Sequence, residues 1–153
     1  MGDETVEPLL RVVVIDDEPA LRTLVRVQLE RSGRATVVAE SDGSPDTVLS
    51  ACAASPDIVL LDQNLDGVRG TDLIGGIART APNAMVVMLT ALDASTEEAA
   101  ALSAGAFVFY EKRVMAASIV ELLEADFRLF SSALNGREVF APSARSRRHE
   151  GMV

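Results

Sequence analysis

RVVVIDDEPALRTLVRVQLE, residues 11–30, contains one complete structural unit and the junction inside it. Val12, Val13, Val14 and Ile15 form an unbroken β-branched row. Such a row reads as a strand buried on both faces, because a strand with one wet face would alternate apolar and polar residues. It stops at three acids, Asp16, Asp17 and Glu18. Pro19 then suits the first turn of a helix, where the missing amide proton costs nothing. Leu21, Leu24, Val25, Gln28 and Leu29 follow at helical spacing, and Gly33 provides a stop.

The same unit recurs downstream. Further apolar runs at Thr36–Ala39, Ile58–Leu61, Met85–Leu89 and Ala106–Tyr110 predict four more buried strands. Helices are expected from Pro45 to Ala54, Thr71 to Thr80, Thr96 to Ala104 and Met115 to Phe130. Ser95 or Thr96 can cap the fourth helix, with Glu97 and Glu98 favouring its positive end and Gly105 closing it. In the fifth, Ile119, Leu122, Leu123 and Phe127 share one stripe. Strict strand–helix alternation predicts an α/β fold, a doubly wound parallel sheet with right-handed crossovers. Helices 1 and 5 should cover one face and helices 2 to 4 the other. The expected organisation is a tail over 1–9, one domain over 10–130, and a tail or linker start over 131–153, where periodicity fades.

Composition narrows the function. A net charge of −9 argues against direct nucleic-acid binding, which rests on cations that neutralise phosphates. Residues 131–153 carry four Arg against two Glu, leaving −11 for the rest, and the basic Arg145, Arg147, Arg148 and His149 read as a solvated tail. No apolar stretch is long enough for a membrane span, and MGDETVEP lacks the apolar core of a secretory signal. A single cysteine, Cys52, excludes an internal disulfide framework and fits a cytoplasmic setting. With one Cys and one His, any metal site must use oxygen ligands, which points to Mg²⁺, Ca²⁺ or Mn²⁺.

In open α/β sheets, ligands bind beyond the carboxyl ends of the strands. Strand 1 ends in Asp16 and Asp17, strand 3 in Asp62, strand 4 in Thr90 and Ala91, and strand 5 runs into Lys112. Any one acid here reads as an ordinary cap or turn residue, and Thr90 alone as an ordinary strand residue. Their coincidence on one edge is the signal. Lys112 adds an independent one, being the sole lysine of a chain with thirteen arginines. Clustered carboxylates repel, and a hard divalent cation relieves that cost. Asp17 and Asp62 should supply direct oxygens, Asp16 a direct or water-mediated one, and the backbone carbonyl of Asn64 another. Mg²⁺, or Mn²⁺ in its place, would align a phosphodonor for transfer to Asp62, with Lys112 and Thr90 holding phosphoryl oxygens.

On the motifs VVVIDDEPALR (12–22), PDIVLLDQNLDGVRG (56–70), VVMLTA (86–91) and GAFVFYEK (105–112), the chain resembles the response-regulator receiver family over about residues 10–130. The resemblance implies a CheY-like, flavodoxin-like (βα)5 domain with strand order 2-1-3-4-5. It carries the acidic pair to Asp16 and Asp17, the phosphoacceptor to Asp62, the switch hydroxyl to Thr90 with its neighbour Ala91, and the lysine to Lys112. It also places a switch aromatic at Phe109. It implies a histidine kinase or phosphotransfer protein as donor, a change in the helix 4–strand 5–helix 5 face, and homodimerisation through that face. Output would pass to a protein partner or to an effector domain beyond this chain. Two positions depart from the family pattern: Arg113 replaces the proline after the lysine, and Asp66 replaces the proline before Gly67. Two other readings compete. An aspartyl-phosphate phosphatase would want a carboxylate two residues after the nucleophile, where Asn64 stands. A pseudo-receiver would bind its target without phosphorylation. The expectation is a switch that catalyses only its own phosphotransfer and dephosphorylation.

Overall fold

The computed structural model describes residues 8–90, 95–112, 119–135 and 146–147. Five parallel strands, β1 (Leu10–Ile15), β2 (Ala35–Ser41), β3 (Ile58–Asp62), β4 (Met85–Thr90) and β5 (Val108–Glu111), form a sheet in the order β2-β1-β3-β4-β5. This is the 2-1-3-4-5 order of the expected fold. A two-residue strand, β6 (Ser146–Arg147), lies parallel outside β5. The helices are α1 (Pro19–Arg31), α2 (Pro45–Cys52), α3 (Ile74–Thr80), α4 (Ser95–Ala104) and α5 (Ile119–Leu134).

The continuous apolar rows divide by the two-residue period of a strand. Val12 and Val14 of β1, Ile58 and Leu60 of β3, and Val87 and Leu89 of β4 pack with Val25 and Leu29 of α1 and with Ile119 and Leu123 of α5. Their neighbours Val13, Ile15, Val59, Leu61, Val86 and Met88 pack with Val48 and Cys52 of α2, Ile77 of α3 and Ala101 of α4. Helices 1 and 5 thus cover one face and helices 2 to 4 the other. Both faces are dry, which is why the strands read as rows rather than alternations. No helix among the described residues is long and apolar enough to cross a membrane.

Several boundaries differ from expectation, for local reasons. The fifth strand begins at Val108, two residues late. Ala106 gives its amide to Ala101 O and Gly105 gives its amide to Leu102 O, a Schellman closure of α4 with Gly105 at φ +123°. The third helix is split into a 3-10 turn over Gly70–Leu73 and α3 proper. The first amides of that turn are held from outside it, Gly70 N–H by Gln63 O and Thr71 N–H by Gln63 Oε1. Helix α5 continues to Leu134, with Phe130 packed edge-on against Phe107 and stacked on Phe127. Strand β2 is longer than its apolar run, and its pairing with β1 slips between Val12 and Val13. The expected start of helix 5 at Met115 and most of the C-terminal tail lie outside the described residues.

Candidate functional site

Parallel pairing brings the strand ends to one edge. Ile15 pairs with Leu61, Asp62 with Leu89, and Thr90 with Glu111, so the residues just past each strand converge. One carboxylate oxygen each from Asp16, Asp17 and Asp62 falls within 4.8 Å of the others. Asp16 and Asp62 are buried, at 1% and 3% exposure, while Asp17 is exposed. The Lys112 ammonium lies 3.3 Å from Asp16 Oδ2 and 3.3 Å from Asp62 Oδ2.

Backbone donors hold the two buried acids in place. Glu18 N–H donates to Asp16 Oδ1 at 2.9 Å, and Asn64 N–H to Asp62 Oδ1 at 3.3 Å. Burial, with the charge of Asp16 added to it, pushes Asp62 up to about 6 against the pull of Lys112 and the Asn64 amide. Burial also works against the Lys112 ammonium, but the charges of Asp62 and Asp16 more than offset it and hold the lysine above its ordinary range. Among the described residues, one ammonium is thus shared by two of the three clustered carboxyl groups. Among the described residues Asp16 Oδ2 is held by the ion pair with the Lys112 ammonium at 3.3 Å and by no further hydrogen bond. An oxygen-only cluster of three carboxyl groups, two of them sharing one ammonium, carries surplus negative charge and fits a hard divalent cation such as Mg²⁺.

Thr90 is fully buried at the end of β4 on the same edge, and Phe109 is buried among the side chains on the α2–α4 face. Asn64 opens a short antiparallel hairpin, Asn64–Leu65 against Val68–Arg69. Asp66 and Gly67 are its two turn residues, with Gly67 at φ +75°, so an acid in place of the family's proline serves a turn that needs φ > 0 at the next position. Ala91 and Arg113 lie outside the described residues.

Sequence reasoning assigned no role to Gly70 or Gln63. A Cβ on Gly70 would sit 2.3 Å from Asp62 O and 3.0 Å from Gln63 Cα, so only glycine lets the loop pass this close behind Asp62. Gln63 holds that loop through its carbonyl and its side-chain oxygen. The second glycine of GVRG was the available signal, but the backbone it approaches is invisible without the fold.

A model of the response regulator receiver domain matches residues 12–124. The chain is 34% identical over 96 residues to the nitrate/nitrite response regulator protein NarP of Escherichia coli (strain K12), covering 63% of this chain and 45% of that protein. It is 35% identical over 97 residues to the transcriptional regulatory protein KdpE of Mycobacterium tuberculosis, covering 62% of this chain and 41% of that one. It thus spans less than half the length of either relative. A two-component response regulator of the LuxR family from Aurantimonas sp. SI85-9A1 superposes with a TM-score of 0.70 at 27% identity, covering 89% of this chain and 92% of that one.

Proposed function

The chain belongs to the response regulator receiver domain family, and from that premise we propose that it is a phosphorylation-dependent signalling switch with Asp62 as phosphoacceptor. The observation that carries this reading is the Lys112 ammonium 3.3 Å from both Asp16 and Asp62, beside a cluster of three carboxylates. Asp16, Asp17, Asp62 and the Asn64 carbonyl are the residues that would hold Mg²⁺, or Mn²⁺. The ion supplies neutralisation of the charge on a phosphoryl group in transfer. An Asp62 oxygen attacks phosphorus, and the bond from phosphorus to the donor nitrogen or oxygen breaks. Lys112 holds a phosphoryl oxygen of the product, and the Thr90 hydroxyl, beside Ala91, holds another. Movement of Thr90 and of the Phe109 ring then changes the face made by α4, β5 and α5.

The donor is a histidine kinase or a histidine phosphotransfer protein. The relatives are longer than this chain, so the signal passes to an output region beyond it, to a separate protein, or to a second copy docked through α4, β5 and α5. With a net charge of −9, this chain is not itself the nucleic-acid-binding part, and its setting is cytoplasmic. Asn64, two residues after Asp62, gives no acid or base for rapid turnover, which favours a switch over a phosphatase.

Beryllium trifluoride, a phosphoryl mimic, tests this with NMR. Added with Mg²⁺, it should shift the amides of Thr90 and Lys112 and then those along α4, β5 and α5. A spectrum unchanged by the mimic in a folded, Mg²⁺-bound sample would contradict the switch and favour a phosphorylation-independent binding module.

A further inference from the structure

Asp16 is the more deeply placed member of the acidic pair, and both of its backbone groups are held. Its amide donates to Ser41 O of β2 at 3.0 Å. Its carbonyl accepts from Arg22 Nη1 at 2.5 Å, across one turn of α1. The Arg22 guanidinium is itself fixed, because its Nε donates to Glu40 Oε1 at 3.2 Å. Glu40 takes a second cation on its other oxygen, from Arg26 Nη1. The order of support runs from Arg26 to Glu40, to Arg22, to the backbone of Asp16, and only then to the carboxylate.

We propose that Arg22 is a positioning residue for the candidate cation site, locking the β1–α1 junction so that Asp16 and Asp17 present their carboxylates together. The proposal rests on the metal reading above and goes beyond it. A guanidinium suits the task because its planar fork fixes the spacing of its donors, with Nη1 on the carbonyl and Nε on the carboxylate. Arg22 is largely covered, at 19% side-chain exposure, whereas Arg26 is at 38%. The neighbouring pair is therefore the weaker and better-screened arm.

The two arginines give a built-in control. Both contact Glu40, but only Arg22 contacts Asp16. The full chain and its Arg22→Gln and Arg26→Gln variants are compared by calorimetric titration with Mg²⁺ and by hydrogen exchange at the Glu18 amide, which is bonded to Asp16 Oδ1. Thermal unfolding checks that all three are folded. Arg22→Gln should weaken Mg²⁺ binding roughly ten-fold, the lower end for loss of a group that orients a metal ligand. It should also speed Glu18 exchange, while Arg26→Gln leaves both readouts near wild type. Equal effects of the two variants would overturn the proposal, since loss of the Glu40 pair alone would then explain them. If the wild-type chain bound no Mg²⁺, the metal reading would fall, and the Glu18 amide would decide the positioning role alone: faster exchange only in Arg22→Gln supports it, and unchanged exchange overturns it.

Discussion

Asp62 is 3% exposed and shares its surroundings with Asp16, with the Lys112 ammonium and the Asn64 amide set against that pair. Its carboxyl is raised from an ordinary 3.8 to about 6 by burial and by Asp16, so the native state binds a proton more tightly than the unfolded chain does. Stability from this group is therefore present below pH 3.8 and lost as pH rises through about 6, and at neutral pH the charge costs about 3 kcal/mol. Asp62→Asn should accordingly stabilise the metal-free protein at pH 7.5 by about 1–3 kcal/mol, with the gain shrinking toward pH 5. Mg²⁺ should stabilise the wild type more than the variant. Denaturant unfolding in chelator, at both pH values and then with Mg²⁺, measures this; a variant no more stable than wild type in chelator would contradict it. The four residues that meet here, Asp16, Asp17, Asp62 and Lys112, were legible because each lies at or just past a strand end and because Lys112 is the only lysine. Gly70, Gln63 and Arg22 were not, since their roles are contacts with backbone carbonyls and amides that only the folded chain brings near.

At the scale of elements, the strands were readable as unbroken apolar rows, and α1 by its proline and its stripe. The boundaries that moved did so where backbone amides found partners outside the apolar pattern, as Ala106 did in closing α4 and Thr71 did with Gln63. The coupling between β5 and α5 was also hidden. Tyr110 OH donates to Asp126 Oδ2 at 2.7 Å, with both residues buried. In sequence, Asp126 looks like one more helix-surface acid on α5. This bond joins two elements of the face assigned to output, next to Phe109 on the strand. Tyr110→Phe should destabilise the fold by about 1–3 kcal/mol, the range for removing one partner of a buried hydrogen bond, and a chemical denaturation curve reads it. A variant as stable as wild type would show that the bond does not hold β5 to α5.

For the whole molecule, alternation of strand and helix was enough to anticipate a doubly wound sheet, and the family motifs supplied its strand order. Fading periodicity after Phe130 concealed both the last turn of α5 and the short edge strand β6, because two-residue pairing leaves no hydrophobic pattern to read. The architecture places Asp16, Asp17, Asp62, Thr90 and Lys112 at one end of the sheet and a largely apolar, close-packed body beneath them. Under the proposed reading, a cluster so placed would take a phosphoryl group from a visiting donor and the α4–β5–α5 side would carry the consequence elsewhere. The proposed switch requires that Asp62 accept a phosphoryl group with the help of a divalent cation. The most direct test is the intact mass of the protein after incubation with acetyl phosphate and Mg²⁺, beside an Asp62→Asn sample and a chelated one. One added phosphoryl group in the wild type, absent from both controls, is the predicted result. The claim is contradicted if the folded, Mg²⁺-bound wild type gains no mass from acetyl phosphate or from a phosphohistidine donor, or if Asp62→Asn gains the same mass.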